Sequence, residues 1–292
     1  MHLLNRTTVR VVTAIALVGL IITAFAPGLR LVVIVVQVGF LLVHGARRYG
    51  WRGIGVFVAA GLVISNILEN LSIQTGFPFG HYHYTGAGKI FQVPWFIGPA
   101  YLATGYLAWI VATVLLDDVR RRSPWLTTIG TPVVGAFAMT AWDLAFDPTA
   151  STIHQAWIWE DGGGFFGVPL VNYLGWTFTV YLFMQVFALY LRSRGQAPQT
   201  QAERSGGDLQ AVLLYAATTL GFFAVLFNGE HTTVTDATGA TWQTADIYET
   251  SALLAVYGMG FLALLSLLRI AQRRIARQGD EQVEKARAAV PM

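Results

Sequence analysis

The stretch IGVFVAAGLVISNILENLSIQTGFPFGHYHYTG, Ile54 to Gly86, decides the fold. Its first part, 54 to 74, is apolar over enough residues to cross roughly 30 Å of hydrocarbon as a helix. Its second part gathers Gly, Pro, His and Tyr, and Gly76, Pro78 and Gly80 predict a rigid extended or turn segment there. Near the end of the apolar run sit Asn66, Glu69 and Asn70, three or four residues apart, on one helical face. Glu69 lies roughly 22 Å above Ile54 by helical rise, in the outer third of a bilayer. An acidic residue at that depth is costly, rarely faces lipid and marks a functional site by default. The plain alternative is a polar clasp between helices.

The rest of the chain carries the same signal. Of 292 residues, 54% are hydrophobic and 12% charged, with a mean hydropathy of +0.53, too oily for a soluble domain of this length. Apolar runs at about 9 to 26, 29 to 46, 54 to 74, 94 to 116, 126 to 146, 169 to 191, 209 to 228 and 247 to 270 predict an all-α polytopic bundle of eight transmembrane helices. Basic residues test the orientation, because cytoplasmic loops carry the excess of positive charge. With the N-terminus inside, Arg6, Arg10, Arg47, Arg48, Arg52, Arg120 to Arg122, Arg192, Arg194, Arg204 and the basic tail from Arg269 to Arg287 all fall on the cytoplasmic face. Only Arg30 and Lys89 lie outside, so both termini are expected to be cytoplasmic. The net charge of +3 then reports topology and implies no nucleic-acid partner.

Arg6 and Arg10 before an apolar run ending in AFA resemble a signal peptide, but Pro27 follows directly and the run is long, which favours a retained first helix. The expected organisation is a single membrane domain over 1–292. Helices 1–6 occupy 1–191, a polar cytoplasmic linker 192–208, helices 7–8 occupy 209–270, and a charged cytoplasmic tail 271–292. Cysteine is absent, which excludes disulfides and thiolate chemistry. The outer loops, about 75 to 93, 147 to 168 and 229 to 246, are long and rich in aromatic, Gly, His and acidic residues, where function usually collects. A multi-pass protein of the cell membrane with its polar site near the extracytoplasmic side is expected.

Other polar groups reach the same level. Asp143 lies roughly 26 Å above Leu126, with Asp147 one turn beyond. Asn172 and Tyr173 sit just inside the outer end of helix 6, while Asn228 and Glu230 close helix 7. His81 and His83 form an H-x-H pair, a weak metal signal, and no metal site is assigned. Tyr82, Tyr84, Trp95, Trp157 and Trp159 have the plain reading of an aromatic belt at the interface.

Taken together, LENLSIQTGFPFGHYHYTG, VPWFIGPAYLATGYLAW, AWDLAFDP, WIWEDGGGFFGVPLVNYLGW and a late NGEH resemble the integral-membrane carotenoid hydratases of bacteria and archaea. That group includes bisanhydrobacterioruberin hydratase and γ-carotene 1′,2′-hydratase. The resemblance spans roughly helices 3 to 8, and the combination is more specific than any single piece. It implies addition of water across the terminal double bond of an acyclic carotenoid, in carotenoid or bacterioruberin biosynthesis, by a hydro-lyase without a redox cofactor.

Such a reaction protonates the less substituted alkene carbon, forms a tertiary cation and captures it with water. It needs a dry acid, a group to orient water and take its proton, and aromatic faces for the cation. Asp143 is the expected proton donor, with Glu69, Asn66 and Asn70 positioning water; the roles of Asp143 and Glu69 are interchangeable at this stage. Asp147 joins the acidic set, and His81, His83 and Tyr84 are expected to cap the pocket. Trp142 and Trp176 are candidates to face the cation, and Trp157, Asn172, Tyr173 and Glu230 complete the expected lining. No cofactor is expected. The partners are a carotenoid from the lipid phase, water, membrane lipid and associated carotenoid-pathway enzymes. The alternatives are a proton-coupled transporter, a metal-dependent membrane hydrolase or hydroxylase, and a prenyltransferase. The last lacks paired Asp-rich motifs, and its one D-x-x-x-D lies on the face poor in Arg and Lys.

Overall fold

The computed structural model describes residues 6–25, 30–194 and 201–288. Most of them are helical, in α1 (Arg6–Phe25), α2 (Arg30–Thr75), α3 (Ile97–Leu115), α4 (Trp125–Asp147), α5 (Leu170–Arg194), α6 (Gln201–Ala217), α7 (Leu220–Asn228), α8 (Thr244–Leu254) and α9 (Phe261–Ala288). Among the described residues, six helical stretches are long and apolar enough to cross a membrane: Leu31–Thr75, Ile97–Leu115, Trp125–Ile153, Leu170–Arg194, Gly206–Asn228 and Thr244–Asp280.

The first stretch carries two of the expected apolar runs. Its helix breaks at Gly50, whose φ of 74° and ψ of 161° suit a residue without a side chain. Across that break a Cβ at Gly45 would lie 2.5 Å from the Ile54 side chain. Nine residues of straight helix would separate them by roughly 13 Å, so the two halves fold back on each other.

At the centre stands α3, where every residue from Tyr101 to Val114 except Thr104 is buried. An apolar surface on all sides suits a helix enclosed by others, and α2, α4, α6 and α9 pack around it. Phe57 of α2 makes edge-to-face contacts with Tyr106 of α3 and with Phe183 and Phe187 of α5. Pro132 inside α4 has no N–H for the carbonyl of Thr128, and Gln185 of α5 donates its side-chain amide to that carbonyl at 3.3 Å.

The expected linker is shorter than its polar composition suggests. Residues 195–200 lie outside the described residues, but α6 begins at Gln201, and Asp208 is buried against Arg48. A buried ion pair holds this polar stretch in a helix. The expected helix 7 is divided between α6 and α7 by a turn at Thr218 and Thr219, and the expected helix 8 runs through α8, a π-helical segment (Ala255–Gly260) and α9. Of the expected tail, α9 covers the part up to Ala288, and 289–292 lie outside the described residues.

All the described strands lie in the three long loops that follow α2, α4 and α7, expected from the sequence to be the outer ones. β1 (Tyr82–Tyr84) pairs antiparallel with β4 (Trp157–Trp159), in the register Tyr82 opposite Trp159 and Tyr84 opposite Trp157. β2 (Lys89–Ile90) pairs with β3 (Val93–Pro94), and β5 (Thr233–Thr235) with β6 (Thr241–Gln243). The ladder between β1 and β4 ties the loop after α2 to the loop after α4, directly over the outer ends of the helices.

Candidate active site

Two acidic clusters face one cavity beneath that ladder. The first is built on Glu69, which is buried near the outer end of α2. Its Oε2 accepts hydrogen bonds from the hydroxyls of Tyr82 and of Tyr84, the latter at 2.9 Å, and its Oε1 accepts from Tyr101 at 2.8 Å. Alternation along a strand aims both β1 tyrosines inward. The loop that delivers them is held close to α5 at Gly175, where a Cβ would lie 2.6 Å from the carbonyl oxygen of Pro78. Burial, and then the neighbouring Glu69, push the Tyr82 and Tyr84 hydroxyls well above the ordinary tyrosine range, so both remain donors at neutral pH.

The second cluster is built on α4. Asp143 and Asp147 lie one turn apart and both are 1% exposed. Asn172 of α5 donates its amide to both, at 3.2 Å to Asp143 Oδ2 and 2.6 Å to Asp147 Oδ2. The indole N–H of Trp157 lies 3.1 Å from Asp147 Oδ1 and that of Trp159 lies 3.4 Å from it. Asp143 Oδ1 is buried without a hydrogen-bond partner. A π-helical segment (Pro148–Ile153) follows Asp147 directly, and such irregular turns recur at functional sites.

The cavity between the clusters measures about 530 Å³, within the size range of small-molecule sites. Glu69, Asp147, Asn172 and the hydroxyl-bearing rings of Tyr82, Tyr84 and Tyr101 form its polar end. Trp142, Trp157, Trp159 and Trp176 add aromatic walls, with Trp176 stacked on Tyr101 at 4.4 Å and Trp142 on Phe146 at 4.5 Å. Leu20, Leu31, Ile34, Phe222 and Val225 supply apolar surface from α1, α2 and α7. Among the described residues no Arg or Lys lines it.

The structure thus brings together Glu69, Asp147, Tyr84, Trp142, Trp157, Asn172 and Trp176 of the expected set. Asp143 stands behind Asp147, buried but outside the lining. His81 and His83 do not cap the cavity: strand alternation turns them to the opposite, exposed face of β1, where they pair with Asp161 at 2.9 Å and Glu160 at 3.0 Å. Asn70 bonds the Asn66 carbonyl at 2.8 Å and accepts from the backbone N–H of Gln92 at 3.0 Å, pinning the outer loop. Tyr173 is buried with its hydroxyl unpartnered, outside the lining, and Glu230 is exposed beyond α7. Tyr101 escaped the sequence reading, and Tyr82 and Trp159 were assigned there only to an interfacial belt. The inward set of Tyr82 and Tyr84 has a signal, the period-two alternation of HYHY, whereas Tyr101 sits in a helix of uniformly apolar pattern.

In comparison with known proteins, the profile of a family described as carotenoid biosynthesis protein matches residues 29–241. No curated protein and no solved structure gives a significant match.

Proposed function

The chain belongs to the carotenoid biosynthesis protein family, and on that premise we propose that it is a hydratase, a hydro-lyase adding water to the terminal double bond of an acyclic carotenoid. The observation that carries this reading is the polar end of the cavity. Two buried carboxyl groups from two helices, Glu69 and Asp147, line it, with Asp143 buried behind Asp147, among hydroxyl, indole and amide donors and aromatic faces, and among the described residues no cation lines it. Ion-pair architecture has no use for such a set, whereas acid chemistry on an apolar molecule does.

In the proposed mechanism the end of the polyene enters the cavity from the lipid phase. Two anions one turn apart without a counter-charge repel strongly in a dry site, and one proton shared by Asp143 and Asp147 relieves this. Asp147 faces the cavity and gives that proton to the less substituted alkene carbon; the π bond breaks, a C–H bond forms and a tertiary cation remains. Trp142, Trp157 and Trp176 offer ring faces to the cation. Water attacks it, forming the C–O bond, and its surplus proton passes to Glu69, whose three hydroxyl donors suit an anion. Return of a proton to the aspartate pair through water closes the cycle, and alkene plus water become a tertiary alcohol with no change in oxidation state.

We further place eight crossings in the membrane, counting the two halves of α2 separately and including α1, with both ends cytoplasmic and the cavity on the extracytoplasmic side. Association with other enzymes of the pathway would deliver and collect a water-insoluble substrate.

The test is expression in a host that accumulates an acyclic carotenoid, followed by chromatography and mass measurement of the pigment. The wild-type protein is expected to add the mass of water, and Asp147→Asn and Glu69→Gln are each expected to lower conversion by about 10²- to 10⁴-fold while still inserting. Full activity in both variants would overturn the mechanism, and absence of any hydrated product from the wild type would overturn the assignment.

A further inference from the structure

A second hollow, of about 270 Å³, lies at the opposite end of the bundle, between α1, the first half of α2, the start of α6, and α9. Arg6, Arg10, Arg47, Arg48, Arg204 and Arg274 line it together with His44, and among the described residues no carboxylate does. The cytoplasmic bias of basic residues explains which face these arginines occupy. It does not explain why they converge on one hollow, where like charges repel unless an anion sits among them.

The ion pairs behind the hollow leave that charge incompletely answered. Arg48 donates to Asp208 and, at 2.7 Å, to Asp118, which also receives Arg204. Yet the Nε groups of both Arg48 and Arg204 are buried without a hydrogen-bond partner, and Arg48 is only 2% exposed. A buried donor left open costs about 1–3 kcal/mol, more when charged, and a ligand oxygen would recover that. Arg6, Arg47 and Arg274 engage other groups as well, while Arg10 is exposed. On α6 the approach is kept close by Gly207, where a Cβ would lie 2.5 Å from His44 Nε2. The hollow is slightly smaller than the roughly 300 Å³ at which drug-sized pockets begin, so its ligand is compact.

We propose that this hollow binds a phosphate-bearing anion, first of all the headgroup phosphate of an anionic membrane lipid. Guanidinium forks match phosphate oxygens, and basic pockets between helix ends at the cytoplasmic surface meet lipid phosphates at their own level. The site is independent of the chemistry assigned to the outer cavity.

The experiment uses the full chain purified in a neutral detergent and washed free of lipid. Thermal unfolding and native mass spectrometry are followed with inorganic phosphate against chloride at matched ionic strength, and in nanodiscs of phosphatidylcholine with or without phosphatidylglycerol. Phosphatidylglycerol is expected to raise Tm and to remain bound, with affinity about tenfold weaker in Arg10→Gln and weaker still in Arg10→Glu, as expected for loss of one charged hydrogen bond. Arg120→Gln, on the same face but outside the hollow, is expected to bind as the wild type. Inorganic phosphate reproducing the full shift would support the site with a free anion as ligand. No effect of either beyond chloride, or equal binding by the Arg10 and Arg120 variants, would overturn the proposal.

Discussion

Buried carboxyl groups occur at both ends of this bundle, and their company differs. Asp118 and Asp208, at one end, are met by the guanidiniums of Arg48 and Arg204. Glu69, Asp143 and Asp147, at the other end, are met by tyrosine hydroxyls, indole N–H groups and one asparagine amide. A carboxylate with a full counter-charge is held ionised and serves as a strut. One that has only neutral donors can gain or lose a proton within its cage, and a proton is what alkene hydration moves. The acids without counter-charge accept the larger number of hydrogen bonds, all from neutral donors; the presence of cations, and not the number of bonds, separates architecture from chemistry.

The sharpest way to break that contrast is Asp118→Asn. Removing one partner of a buried charged cluster is expected to destabilise the fold by about 3–5 kcal/mol, read as a large fall in Tm, with the specific activity of the folded fraction unchanged. Burial raises the Asp118 carboxyl, but Arg48 and Arg204 outweigh it and hold the group below the usual aspartate range. A depressed folded value means stability present above the unfolded value, near pH 4, and lost as the pH falls through the folded one. The Tm difference between wild type and variant is therefore expected to be flat from about pH 5 to 8 and to shrink only in stronger acid.

A smaller effect is expected at the outer end from Tyr101→Phe, which removes one of three hydroxyls on Glu69. A hydrogen bond to a charged group contributes about 1.5–3 kcal/mol, so turnover of the carotenoid is expected to fall roughly ten- to a hundred-fold, read by product chromatography. A change in Tm with no change in turnover would reduce Glu69 to a structural clasp. The smallest effect is expected from Arg120→Ala. Arg120 lies 3.8 Å from Asp118 with a side chain 56% exposed, and its loss is expected to shift stability by less than about 1 kcal/mol, because an exposed ion pair is screened by water.

Much of the architecture is legible in the amino-acid sequence, since each apolar run from 9 to 270 falls mainly on helix over its described residues. That Glu69 and Asp143 lie late in their helices, at one end of the bundle, follows from helical rise alone. The partners of these groups are less legible. Tyr82 and Tyr84 reach Glu69 only because β1 pairs with a strand more than seventy residues away, a non-local event with no mark in the HYHY segment itself. The same pairing turns His81 and His83 outward, against the expectation that both cap the pocket together with Tyr84. Tyr101 is hidden for a different reason. In a helix enclosed on all sides, periodicity singles out no face, so the one tyrosine aimed at Glu69 looks like its buried neighbours. Arg48 shows a third kind of concealment, because a basic residue between two apolar runs is already accounted for by the expected topology.

The pairing of β1 with β4 sets one register for both acidic clusters, since Tyr84 on Glu69 stands opposite Trp157 on Asp147. Sliding either strand by a single position would exchange inward and outward residues, sending phenols and indoles to the water and histidines to the acids. Inserting one amino acid within either three-residue strand would therefore disarm both halves of the chamber at a stroke.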